Sequence, residues 1–151
     1  MSSLKVLCVI PARYASTRLP GKPLREIAGK PMIVRVYERA KQAKKVQEVI
    51  VATDDERICA AVEACGGHAV MTRCDHATGT DRLAEVAQKM TEYDLIINVQ
   101  GDEPLIDPAV IDALTEPFLI EEDLSMATVK TKITDAVDME NPNNVKVVTD
   151  R

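Results

Sequence analysis

Short apolar runs alternate with helical segments along this 151-residue chain, and that alternation constrains the fold more than any other feature. Continuous apolar runs of about four to eight residues are typical of strands buried on both faces. The predicted strands are residues 4–10, 49–52, 69–71 and 95–99. The predicted helices are residues 31–44, a helix capped by Asp54 or Asp55 that ends at Gly66-Gly67, residues 80–90 and residues 107–120. Such short connections predict an α/β, Rossmann-like, mostly parallel sheet with helices on both faces.

Two more strands are predicted near the carboxyl end, at residues 126–133 and 145–148. Hydrophobic residues make up 46% of the chain but aromatic residues only 3%, so the core must consist of aliphatic side chains. That composition suits parallel strands covered by helices. The length fits one domain, and we expect a single domain over residues 1–151.

Charge and composition exclude several classes of protein. A net charge of −5 argues against general affinity for nucleic acid. The sequence has no secretory leader and no run long enough to insert in a membrane, so we expect a cytoplasmic protein. Its four cysteines form no C-x-x-C pair and are expected to be reduced. Cys74 and His76 alone are too few ligands for a metal site.

A basic loop, residues 11–23, follows the first predicted strand. It contains three cations, two hydroxyl groups and a Pro-Gly turn, contributed by Arg13, Arg18, Lys22, Ser16, Thr17 and Pro20-Gly21. Backbone N–H groups, hydroxyls and guanidinium groups in such a loop can surround a polyanion, and phosphate fits best. The alternatives are a solvated basic loop and, for the two hydroxyls, a role in capping the turn.

Two other loops follow strands of the same predicted sheet, residues 72–80 and 100–104. Ligands of parallel sheets bind beyond the carboxyl ends of the strands, so all three loops are expected at one edge. Asp102 directly follows the fourth strand, where a carboxylate is placed to bind Mg²⁺ beside a triphosphate, with Glu103 as the alternative ligand. Gln100, in the same loop, has an amide group that can hydrogen-bond hydroxyl groups of a ligand. Asp81 and Arg82 open a predicted helix, and we assign them to capping and ion pairing.

Four segments of the chain resemble, in order, the 3-deoxy-manno-octulosonate (Kdo) cytidylyltransferases, which are sugar-nucleotide transferases. They are residues 11–32, 71–85, 98–104 and 141–148. The resemblance implies the nucleotide-diphospho-sugar transferase fold and a reaction that joins CTP and Kdo, with Mg²⁺, to give CMP-Kdo and pyrophosphate for lipopolysaccharide synthesis. It also implies a homodimer of full-length chains. Chains of this family continue past Arg151, so we expect this sequence to be their N-terminal part.

The resemblance also assigns roles to particular residues. The residues expected to act in catalysis are Arg13, Lys22 and Asp102, with Asp102 also holding the metal. The residues expected to bind substrate are Ala12, Ser16, Arg18, Arg73, Gly79, Thr80 and Gln100. Arg73, Gly79 and Thr80 lie in the segment that resembles the base-recognition loop. A second metal carboxylate is implied in the part of family chains beyond Arg151.

Other functions remain open on sequence alone. One is a cytidylyltransferase for another sugar acid, such as sialic acid or 8-amino-Kdo, or a thymidylyl- or uridylyltransferase. Another is an inactive nucleotide-binding module that binds CTP without turnover. A dinucleotide-binding Rossmann domain is excluded, because no G-x-G-x-x-G follows the first strand and the loop there is cationic.

Overall fold

A computed structural model describes residues 4–149 of the chain. The strands are β1 (Val6–Ala12), β2 (Glu26–Ile27), β3 (Lys30–Pro31), β4 (Glu48–Thr53), β5 (Ala69–Met71) and β6 (Leu95–Asn98). The helices are α1 (Met32–Ala40), α2 (Glu56–Ala64), α3 (Gly79–Lys89), α4 (Pro108–Ala113), α5 (Glu116–Ile120) and α6 (Ala136–Glu140). A single 3-10 turn, Lys22–Leu24, interrupts the basic loop.

The main sheet has the strand order β5-β4-β1-β6, and every neighbouring pair is parallel. Helices α1, α2 and α4 pack on one face through Ile33, Val36, Ile58 and Ile111, among others. Helix α3 packs on the opposite face through Leu83 and Val86. The predicted parallel sheet with helices on both faces is therefore confirmed, while the single domain over residues 1–151 stays a prediction.

The helices differ from the sequence prediction at two places, and the structure also decides which aspartate caps α2. Helix α1 ends at Ala40 rather than at residue 44, and the Asp112 carboxylate accepts hydrogen bonds from the backbone N–H groups of the turn that follows. The helix expected over residues 107–120 is two short helices, because Pro117 cannot continue a helix that reaches back to residue 113. Asp55, not Asp54, caps α2 by accepting the Arg57 N–H at 2.9 Å.

The two strands expected at residues 126–133 and 145–148 are wrong. Neither segment pairs with a strand among residues 4–149. Met126, Val145 and Val148 are 82%, 96% and 93% exposed. Hydrophobic residues alone do not make a strand, since the backbone also needs a hydrogen-bonded neighbour, and β6 pairs only with β1 in the described sheet.

The sequence analysis missed a small antiparallel hairpin formed by β2 and β3. Its strands are only two residues long, too short to show a two-residue periodicity. Ala28 (φ +49°) and Gly29 (φ +79°) form its turn. The Arg35 side chain donates to the carbonyl oxygens of Ile27 and Ala28 at 3.1 and 2.6 Å, which fastens the hairpin to α1.

The loop after β6 lies very close to the end of β1. A Cβ atom on Gly101 would lie 2.8 Å from the backbone carbonyl oxygen of Pro11. A Cβ atom on Gly79 would also meet Pro11, but at 3.3 Å from Cγ of its ring, which can shift by changing pucker. Glycine at position 101 thus allows two of the predicted site loops to meet.

We expect Gly101→Ala to lower the free energy of unfolding by about 1–3 kcal/mol, because the added methyl group overlaps a backbone atom of the central strand. Gly79→Ala is the matched control, with the same neighbouring residue, and should change stability by about 0.5 kcal/mol or less. Urea denaturation followed by circular dichroism measures both. Equal effects of the two substitutions would contradict the close approach at Gly101.

Candidate functional site

A cleft of about 580 Å³ opens at the carboxyl edge of the parallel sheet. Its walls come from the basic loop, from residues 76–79 and from residues 100–102, so the three predicted loops do meet. The predicted site residues that line it are Ala12, Arg13, Ser16, Arg18, Lys22, Gly79, Gln100 and Asp102. Arg73 and Thr80 do not line it.

The predicted phosphate ligand Lys22 and the predicted metal ligand Asp102 form an ion pair across the cleft. Lys22 Nζ lies 2.8 Å from Asp102 Oδ2, and the two side chains are 41% and 52% exposed. An exposed pair of this kind contributes only about 0–1 kcal/mol to stability. Both groups are therefore available to exchange this contact for a phosphate or a cation.

The other two cations of the basic loop, Arg13 and Arg18, are exposed and form no ion pair with any residue between 4 and 149. Both line the cleft. Ser16 Oγ accepts the Leu19 N–H at a long 3.4 Å, which is the turn-capping role considered as the alternative. That weak contact leaves the hydroxyl proton of Ser16 available to a ligand.

Tyr14 sets the shape of the basic loop and was missed by the sequence analysis. Its carbonyl accepts the N–H of Gly21 at 2.9 Å, and Gly21 adopts φ +69° directly against the tyrosine ring. The guanidinium of Arg57 lies 3.5 Å from the centre of the same ring. Asp55 accepts two bonds from that guanidinium, and these bonds lower the pKa of Asp55. The signal in the sequence was that Tyr14 is the one aromatic residue of the basic loop, in a chain with only 3% aromatic residues.

Arg82 is the buried cation of the cleft, at 3% exposure. Its guanidinium donates to Thr72 Oγ1, to the Arg73 carbonyl at 3.1 Å and to Asp54 Oδ2 at 3.3 Å. These acceptors offset the cost of burying the charge and tie α3 to the end of β5. The ion-pairing role expected for Arg82 is confirmed.

The capping role expected for Asp81 is also confirmed. Thr78 Oγ1 accepts the Asp81 N–H at 3.1 Å, and Asp81 Oδ2 accepts the Thr78 N–H at 3.0 Å. This reciprocal pair starts α3 beside the cleft, with Thr78 and Gly79 in its wall.

Arg73 lies outside the cleft, with its side chain 70% exposed and bound to both carboxylate oxygens of Asp75. It lines a second cleft of about 450 Å³ behind residues 73–77. Spacing placed Arg73 in the correct loop but could not show that Asp75, two residues later, directs its side chain away. Contact of Arg73 and Thr80 with substrate stays a prediction.

Glu85, on α3, binds three groups and was not singled out in the sequence. It accepts from Lys89 Nζ at 2.6 Å, from the Arg73 N–H at 3.0 Å and from His76 Nε2 at 2.6 Å. The bonds from Lys89, then Arg73, then His76 lower the pKa of Glu85 to about 2. Because Glu85 is ionised and can only accept, His76 carries its proton on Nε2.

Among residues 4–149 no three His, Cys, Asp or Glu side chains form a metal-binding group. The cleft contains one exposed carboxylate, Asp102. This fits Mg²⁺ as it is bound in nucleotide enzymes, by one or two carboxylates together with substrate phosphates and water.

No helix in the described part of the chain is long and apolar enough to cross a bilayer.

The depressed pKa of Glu85 predicts a pH-dependent stability. Its stabilising effect is complete above the ordinary glutamate value of 4.5 and is lost as the pH falls through about 2. The difference in unfolding free energy between wild type and Glu85→Gln should therefore shrink between pH 5 and pH 2.5 in urea titrations. On a Lys89→Met background the shrinkage should be smaller. A difference independent of pH would contradict this.

Comparison with known proteins shows which family this chain resembles. A sequence model of the family described as cytidylyltransferase matches residues 7–151. The 3-deoxy-manno-octulosonate cytidylyltransferase of Geotalea daltonii is 59% identical over 147 residues, covering 97% of this chain and 58% of the relative. The protein of the same name from Fusobacterium nucleatum is 55% identical over 148 residues, covering 98% and 60%.

Solved structures give the same result. A structure described as CMP:2-keto-3-deoxy-manno-octonic acid synthetase complexed with CTP aligns with a TM-score of 0.77 at 57% identity, over 80% of this chain and 49% of that chain. A cytidylyltransferase from Leptospira borgpetersenii aligns with a TM-score of 0.65 at 31% identity, over 80% and 51%. The chain spans about 58% of the length of the curated relatives it matches. It belongs to the cytidylyltransferase family.

Proposed function

We propose that the protein carrying this sequence joins CTP and Kdo to give CMP-Kdo and pyrophosphate. The observation that carries the proposal is the cleft itself, which is lined by three exposed cations and one exposed carboxylate at the carboxyl edge of a parallel sheet. They are Arg13, Arg18, Lys22 and Asp102. The relatives named as Kdo cytidylyltransferases, at 55–59% identity, support the choice of nucleotide and sugar.

The reaction needs positioning and charge stabilisation more than covalent help from the protein. The anomeric hydroxyl oxygen of Kdo attacks the α-phosphorus of CTP, the bond from that phosphorus to the β-phosphate bridging oxygen breaks, pyrophosphate leaves, and the hydroxyl proton is released to solvent. Arg13 and Lys22 bind the phosphate oxygens, and Arg18 adds a third positive charge. Asp102 would hold Mg²⁺, which supplies neutralising charge to the phosphates.

In this proposal Lys22 exchanges its contact with Asp102 for a contact with phosphate. The exposed ion pair that it gives up contributes about 0–1 kcal/mol, whereas a charge-assisted hydrogen bond to phosphate contributes about 1.5–3 kcal/mol. The exchange therefore favours the nucleotide complex. It also leaves the Asp102 carboxylate free, so that it would be able to hold a divalent cation.

The finer parts of the proposal concern the whole protein. We infer that Mg²⁺ is the metal, that the enzyme works in the cytoplasm as a homodimer, and that its product serves lipopolysaccharide synthesis. These inferences rest on the family resemblance. Gln100, in the wall of the cleft, is assigned to the hydroxyls of ribose or sugar.

The deciding test measures pyrophosphate release from CTP, Kdo and Mg²⁺ by the gene product that carries this sequence. We expect Asp102→Asn to lower the rate by orders of magnitude with little change in Tm, because the ion pair it removes is exposed. Glu103→Gln is the matched neighbour and should retain activity. The reverse result would make Glu103 the metal ligand. Release with sialic acid but not with Kdo would reassign the sugar, and CTP binding without release would indicate a binding module.

We expect Lys22→Ala to weaken CTP binding at least about tenfold, because it removes a charge-assisted bond to phosphate. Lys30→Ala is the control, since Lys30 forms a similarly exposed ion pair with Glu38 outside the cleft. Isothermal titration calorimetry with CTP measures both. Equal affinities of the Lys22 variant and wild type would remove Lys22 from the nucleotide site.

A further inference from the structure

The segment between β5 and α3, residues 72–78, separates two clefts, and we name it the partition loop. The main cleft lies on one side and the second cleft on the other. His76 and Ala77 line both. The middle of the partition loop is thus one chain thick with solvent on each side, and core packing does not fix its position.

Glu85 holds this loop from the side of the second cleft. A single oxygen, Oε2, accepts both the Arg73 backbone N–H and His76 Nε2, whereas Oε1 accepts Lys89. The His76 and Glu85 side chains are 13% and 15% exposed, so water competes little with their bond. Among the described residues, the His76–Glu85 bond is the one hydrogen bond from outside the loop to residues 74–77.

Both ends of the partition loop have separate supports. Arg82 binds Thr72 and the Arg73 carbonyl at its start, and Asp81 caps Thr78 at its end. Loss of Glu85 would therefore leave the fold and the ends of the loop in place. It would release the middle, including His76 in the wall of the main cleft.

We propose that Glu85 is a positioning residue that fixes the cleft wall that contacts the cytosine base. This rests on the proposed function, in which the basic loop binds the phosphates, and on the resemblance of residues 71–85 to the base-recognition loop of the family. Glu85 does not line the main cleft, so it acts through His76 and the Arg73 backbone. Glu85 affects the affinity for the base and not the affinity for the phosphates, because the phosphate-binding cations lie on a different loop.

Because the two Glu85 oxygens bind different partners, three variants can separate the bonds to the partition loop from the bond to Lys89. Glu85→Ala removes both bonds to the partition loop. Glu85→Gln can keep its carbonyl oxygen at the Oε2 position, retaining both loop bonds and losing only Lys89. Lys89→Met is the matched control, since it removes the Lys89 bond alone.

The experiment titrates CTP and inorganic tripolyphosphate into the gene product and these variants by calorimetry. Amide hydrogen exchange over residues 73–78 is measured on the same proteins. We expect Glu85→Ala to weaken CTP binding about tenfold, the effect of losing one or two net hydrogen bonds, with tripolyphosphate within about twofold of wild type. Exchange in the partition loop should accelerate. Glu85→Gln and Lys89→Met should stay within about threefold of wild type for CTP.

The outcomes separate this proposal from the proposed function. If Glu85→Ala weakens CTP and tripolyphosphate equally, or accelerates exchange without changing CTP affinity, the positioning role is overturned while the function stands. If Glu85→Gln behaves like Glu85→Ala, the carboxylate charge rather than loop placement is responsible, and the proposal also fails. If the wild-type protein binds neither ligand, the proposed function fails.

Discussion

The two-sided pairing of β1 is the constraint on which the rest of the structure depends. Its residues pair in parallel with β4 from Leu7 to Ala12 and with β6 from Val6 to Val9. Leu7, Cys8, Val9 and Ile10 are completely buried between helices on the two faces. Each aliphatic side chain buried in this way contributes about 1.5–3 kcal/mol, so the strand cannot shift without large loss. The basic loop that leaves Ala12 therefore starts from a fixed point.

The cations of the cleft differ in how deeply they are buried and in how many acceptors they bind. A buried cation needs several acceptors to offset its loss of hydration, and Arg82 has three. The loop cations stay exposed to solvent, so folding does not remove their hydration. Arg13 and Arg18 consequently face an open cleft without internal partners among the described residues. Lys22 has a partner, but one that is exposed and weakly held. An anion that enters the cleft can therefore reach the loop cations directly.

Sequence reasoning predicted the sheet because strands buried on both faces have an unmistakable composition, as in β1 and β4. The same criterion failed at residues 126–133 and 145–148, where hydrophobic residues lack a partner strand in the described sheet. For the site, strand ends correctly placed Lys22 and Asp102 in one cleft, although their mutual ion pair could not be read from spacing. Arg73 and Glu85 escaped prediction because side-chain direction and long loop contacts depend on packing, not on sequence interval.

The two walls of the cleft are held in place by different interactions, one by backbone packing and the other by side-chain hydrogen bonds. The wall formed by the basic loop rests on the backbone of β1, where Gly101 and Pro11 meet in direct contact and leave no room for adjustment. The partition loop stands on side-chain hydrogen bonds, with solvent on both sides. A substitution on α3 can therefore shift the partition loop without disturbing the sheet. Under the proposed function, contacts with the phosphates would then stay constant on the rigid wall, while contacts with the base would be set on the adjustable one.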